Sequence, residues 1–112
     1  MLHVTQEHVP LSEPVFLILT SLAEEPRHGY ALLKDIESLS GGRVRMSTGT
    51  LYGALRRMLD ARWIEPHKTG DTSRDKQSYR LTKLGRGVLA ADVERLKTLT
   101  RVAGSRLKAK EA

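Results

Sequence analysis

The segment Ser47-Thr48-Gly49-Thr50-Leu51-Tyr52-Gly53-Ala54-Leu55-Arg56-Arg57-Met58-Leu59 constrains this chain most, because its pattern fits a helix laid on a core along a single stripe. Ser47 is set to cap that helix by accepting a hydrogen bond from the amide of Gly49 or Thr50, and Leu51, Leu55, Met58 and Leu59 follow at three- and four-residue steps. The same wheel turns Gly49, Thr50, Gly53, Arg56 and Arg57 outward. Small residues in the opening turn, here Ser47, Thr48 and Gly49, let a helix come close to base edges and phosphates. The free amides of a helix start themselves bind phosphate oxygens. Arginine adds a rigid fork of donors that matches a phosphate or the O6/N7 edge of guanine. This is the profile of a DNA recognition helix. An ordinary amphipathic surface helix with solvated arginines is the plainer reading of the same residues.

The distribution of charge favours the first reading. Residues 1 to 42 hold two basic and six acidic side chains (net −4), and residues 43 to 112 hold seventeen and seven (net +10), so the basic field begins at this helix. A polyanion is the expected partner, double-stranded DNA first; an anionic membrane surface or an acidic protein would be drawn by the same charge. No membrane span is expected, since no apolar run approaches the roughly 20 residues that one needs. Met1 to His8 carries neither the basic region nor the apolar segment of a secretory signal, and there is no cysteine; both are compatible with the cytoplasm.

A chain of 112 residues makes one modest core, with no room for a catalytic domain beside a binding domain. No nucleophile motif or phosphate-cradling glycine loop is present, so no enzyme activity, catalytic residue or cofactor is predicted. Of the four histidines, His3, His8, His28 and His67, only the first two lie close in sequence, on a terminal arm, and no metal site is predicted.

The elements fall into an order that names a fold class. Ser12 caps a first helix that tolerates Pro14 in its opening turn, buries Val15, Ile18, Leu19 and Leu22, and stops at Glu24-Glu25-Pro26. A second helix starts near His28-Gly29-Tyr30, turns Leu32, Leu33, Ile36 and Leu39 inward, and breaks at Ser40-Gly41-Gly42. The basic helix follows and runs to about Ala61. Trp63 to His67 and Gln77 to Leu81 have strand character, and Trp63 is expected to pack in this strand region or at a dimer seam. Between the strands lies a polar loop that contains Arg74 and Lys76. Three helices and a hairpin with a basic loop make a winged helix-turn-helix, mainly α with a small β-hairpin, in which the third helix enters the major groove and the wing reaches flanking phosphates. Arg74 and Lys76 are the wing contacts.

Thr82 caps a fourth helix in which Leu89, Val93, Leu96, Thr100, Ala103 and Leu107 form a heptad seam. Over residues 83 to 107 such a helix is about 37 Å long, more than the domain can cover, so a second copy of the chain is expected on the seam. The division expected is a flexible arm at 1–10, a winged helix-turn-helix at 11–82, and a dimerisation helix at 83–112 whose basic end frays.

His28-Gly29-Tyr30, the run Ser47 to Tyr52, and Tyr79-Arg80-Leu81-Thr82 followed by Gly85, in this order and spacing, resemble the PadR family of bacterial transcriptional regulators, in its branch with a single tail helix. The resemblance covers roughly residues 11 to 89. It implies a homodimeric repressor that binds an inverted repeat at a promoter, and it points to Tyr30, Thr50 and Tyr52 as DNA-facing. Thr48 and Gly53 stand where the family often has proline, and Arg62 where it usually has the glycine that ends the recognition helix. Ligand-responsive relatives use longer C-terminal regions or aromatic residues on the tail, and this tail has none. An effector, if one is sensed, is expected to be hydrophobic or phenolic and to sit between subunits beside Phe16, Leu89 and Val93; the rival expectation is that there is no effector.

Overall fold

The computed structural model describes residues 9–68 and 77–111. The expected wing contacts Arg74 and Lys76, together with most of the terminal arm, lie outside the described residues. Helix α1 spans Glu13–Glu24 and α2 Gly29–Leu39, α3 spans Thr48–Asp60, and α4 spans Lys83–Glu111. Strands β1 (Arg27–His28), β2 (Ile64–His67) and β3 (Ser78–Leu81) form one antiparallel sheet in the order β1-β3-β2. Ile64 pairs with Leu81 and His67 with Ser78 across the hairpin, while Arg27 pairs with Tyr79 on the other edge. The expected hairpin is therefore two strands of a three-stranded sheet. β1 adds the third from the link between α1 and α2.

Local chemistry sets the helix ends. Ser12 Oγ accepts from Val15 N–H at 3.3 Å, and Glu25, extended ahead of Pro26, closes α1. Helix α2 ends in a Schellman turn: Gly42 N–H donates to Glu37 O at 2.8 Å and Gly41 N–H to Ser38 O at 3.1 Å, with Gly41 at φ +64°. Helix α3 ends in the same way. Trp63 N–H donates to Met58 O at 2.9 Å and Arg62 N–H to Leu59 O at 3.1 Å, but here the left-handed position holds Arg62, at φ +64°.

The core gathers Ile18, Leu19 and Leu22 of α1, Leu32 and Ile36 of α2, Leu51, Ala54, Leu55 and Met58 of α3, and Ile64 and Tyr79 of the sheet. Trp63 packs against it from the strand region, as expected. Leu39 does not belong to it: at the last turn of α2 it is 50% exposed, because the core ends one turn earlier at Ile36. Arg27, largely buried, ties α1 to α2 by donating to Ser21 O at 3.2 Å and lying 3.6 Å from the Asp35 carboxylate.

Thr82 caps α4 by accepting from Gly85 N–H at 3.0 Å, and its hydroxyl sits between Arg62 O and Trp63 O. Gly85 is pressed so closely on the α3–β2 turn that a Cβ there would lie 2.0 Å from Trp63 O. Val88 and Leu89 then pack on the core. Asp92 is fully buried and paired with Arg95 at 2.7 Å, which holds the guanidinium above its usual range. At 29 residues α4 is about 44 Å long. Beyond Arg95 every described side chain of it is exposed.

Candidate nucleic-acid interface

Helix α3 turns its buried stripe to the core and leaves Thr48, Gly49, Thr50, Tyr52, Arg56 and Arg57 exposed, with Ser47 exposed ahead of it and Gly53 half-buried. Ser47 Oγ accepts from Thr50 N–H at 3.1 Å and donates to Thr50 Oγ1 at 2.9 Å. Thr50 thus accepts with its oxygen and keeps its own proton to give outward, toward an acceptor such as a phosphate. Gly49 has nothing within 4 Å of a built Cβ, so it presents bare backbone to the surface.

The arginines separate by environment. Arg27, Arg43, Arg45, Arg80 and Arg95 are each ion-paired with a carboxylate. Among the described residues no carboxylate pairs with Arg56 or Arg57, so α3 carries cations that the described part of the fold does not neutralise. Arg56 lies opposite the buried stripe. Arg57 folds back along the helix, Nη1 3.8 Å from the built Cβ of Gly53, and borders a cavity of about 600 Å³ with Val15, Ala54, Met58, Trp63 and Val88.

The two tyrosines implied by the resemblance differ. Tyr30, at the start of α2, is 69% exposed and lies under Lys34, whose Nζ is 5.6 Å from the ring centre. Tyr52 is 46% exposed but is held at its far end against Gly29. A third, Tyr79, is buried; burial first and the nearby Tyr52 second push its phenol above the ordinary value of 10.0.

On the tail, Leu89 faces its own domain and Val93 is half-buried, whereas Leu96, Thr100, Ala103 and Leu107 are exposed. Leu99 and Val102, 53% and 47% exposed, lie to one side of that face, about 60° and 120° around the helix from Leu96. Phe16, Val93 and Leu96 line a groove of about 540 Å³ rimmed by Lys97 and Arg101, while Leu89 is turned away from it. None of the described helices is long and apolar enough to cross a membrane. Among the described residues no group of three or more His, Cys, Asp and Glu is arranged to hold a metal ion.

Comparison with known proteins agrees with this architecture. Residues 18–91 match the transcriptional regulator PadR-like family. A PadR family transcription regulator from Clostridium difficile superposes with a TM-score of 0.71 at 22% identity, over 86% of this chain and 99% of that one. A PadR family transcriptional regulator from Eggerthella lenta does so at 0.64 and 27% identity, over 85% and 84%. An uncharacterized 37.1 kDa protein in transposon TN4556 of Streptomyces fradiae is 34% identical over 84 residues; the match takes in 75% of this chain but only 23% of that protein's length. With three helices, a winged sheet and a tail helix in place, and the match spanning the core of the domain, this chain belongs to the PadR-like family of transcriptional regulators.

Proposed function

We propose that this chain is a sequence-specific DNA-binding regulator that acts as a homodimer in the cytoplasm and represses a promoter by occupying an inverted repeat. The observation that carries the reading is the outer face of α3. Bare backbone at Gly49, an available hydroxyl proton on Thr50 and, on Arg56 and Arg57, guanidinium groups with no ion-pair partner among the described residues are the donors that base edges and phosphates accept from. Ser47, Thr48 and Gly53 bring the helix start close to the groove, and Tyr30 flanks it from α2. Arg74 and Lys76 add phosphate contacts from the wing.

The exposed apolar face of α4 supports a second copy on Leu96, Thr100, Ala103 and Leu107. Two such chains would present two recognition helices to half-sites about one helical turn apart, roughly 34–36 Å. A hydrophobic or phenolic effector, if one is sensed, would enter the groove beside Phe16 and Val93 at this subunit junction.

Duplex binding measured against salt tests the reading. Repeated selection of genomic fragments on the purified protein should enrich one inverted repeat, with log affinity falling steeply and linearly against log salt. Equal binding to all duplexes, or binding to acidic protein or anionic vesicles alone, would favour a winged-helix interaction module instead.

A further inference from the structure

Gly29 opens α2 and is buried. A Cβ built on it would lie 2.3 Å from Tyr52 Oη, 2.8 Å from Cζ and 3.4 Å from Cε1, where ordinary contact begins at 3.4 Å. The phenol end of the recognition helix's tyrosine therefore rests on bare backbone, at a point where a side chain fits only if the phenol moves. Tyr52 thus links α3, which carries it, to the start of α2. Its ring is rigid and has only two side-chain torsions, so anchoring its tip restricts how α3 can roll about its own axis. That roll decides whether Gly49, Gly53 and Arg56 meet a groove or slide past it.

We propose that Gly29 is a positioning residue for DNA reading that acts through Tyr52: the bare start of α2 seats the phenol, and the seat fixes the roll at which α3 meets a duplex. This rests on the DNA-reading function proposed above. It also gives a physical reason for glycine next to His28 and for tyrosine after Leu51, two features that are far apart in sequence.

The sign of an alanine substitution separates this role from ordinary helix propensity. Alanine normally favours a helix over glycine. Gly87, with nothing within 4 Å of a built Cβ, should follow that rule, and Gly87→Ala should raise the melting temperature. Gly29→Ala should lower it, because the phenol must move.

The test uses the full chain as wild type, Gly29→Ala, Tyr52→Leu and the double variant. Each is titrated against the duplex that wild type enriches from a random pool and against a scrambled duplex of equal length, at one salt concentration. Gly29→Ala should lower the selected-to-scrambled affinity ratio about tenfold, the size of one lost base contact, with affinity for the scrambled duplex little changed. In the Tyr52→Leu background the same substitution should cost about threefold or less, since the Oη, Cζ and Cε1 atoms that collide are all gone. A wild-type ratio in Gly29→Ala, or an equal loss in both backgrounds, overturns the assignment. Should Gly29→Ala alone fail to fold, a double variant that folds and discriminates supports the seat; a double variant that also fails overturns it. A wild type with no preference for any duplex removes the DNA-reading function itself, which is a different result from a discriminating wild type with an indifferent Gly29→Ala.

Discussion

Replacing Arg62 by glycine should stabilise this protein. Arg62 occupies the left-handed position of the turn that ends α3, at φ +64°, while the same position of the same turn after α2 is filled by Gly41, also at φ +64°. For a side chain that conformation costs about 1–2 kcal/mol, from the approach of Cβ to its own carbonyl oxygen. Glycine removes this cost but gives back roughly 0.5–1 kcal/mol through the greater freedom of the unfolded chain. Arg62 is exposed and in no ion pair among the described residues, so little else is lost. The net gain is about 0.5–1 kcal/mol, or roughly 2–6 °C in melting temperature for a domain of this size. Thermal unfolding followed by circular dichroism measures it, at one protein concentration because self-association would make the midpoint concentration-dependent. Arg62→Ala, which keeps the left-handed strain, should show no such gain, and Gly41→Ala should lose about 1–2 kcal/mol. An unchanged or lower midpoint in Arg62→Gly, with Gly41→Ala behaving as stated, would mean that the guanidinium makes contacts that outweigh the strain.

Three further outcomes follow from the packing. Gly85→Ala should cost about 1–3 kcal/mol or more, because its Cβ would collide with the Trp63 carbonyl and backbone must shift; urea unfolding reads this. Leu96→Asp should sediment as a monomer where wild type sediments as a dimer, since it sets a charge in the apolar face of α4. The Tyr79 phenol, held above its ordinary 10.0 chiefly by burial, favours folding while neutral; that contribution is intact below the unfolded value and is lost as pH rises through the folded one. Tyr79→Phe should therefore flatten the alkaline side of the stability profile, and ultraviolet titration of phenolate should show one tyrosine ionising late in wild type.

What could be read beforehand was what is local in the chain. Ser12, Ser47 and Thr82 announce helix starts because each cap bonds within three residues of itself, and the stripe of Leu51, Leu55 and Met58 depends only on the period of the helix. The reading failed where long-range partners decide. Strand β1 is two residues whose pairing partners, Ser78 and Tyr79, lie about fifty positions on, and nothing in Arg27-His28 advertises an edge strand. Leu39 keeps the helical period but falls beyond the end of the core. Gly29 and Gly85 look like ordinary helix openers, and only the fold brings Tyr52 and the Trp63 carbonyl against them. In the interface, the identity of the exposed residues on α3 was legible, whereas the divergence of Arg56 from Arg57 was not, because it depends on how each side chain lies along the helix surface.

The central claim is that α3 reads DNA, and the most direct measurement is the affinity of Arg56→Ala and Thr50→Ala for the selected and the scrambled duplex. Arg56 and Thr50 lie outside the core, so both variants should keep the wild-type melting temperature. If Arg56 contacts a base, its loss costs about 1–3 kcal/mol on the selected duplex and less on the scrambled one; if it contacts a phosphate, both fall alike and the salt slope drops by about 0.9. Either pattern supports the reading. Wild-type affinity and salt slope in both variants would contradict it, and would leave α3 as an amphipathic surface helix.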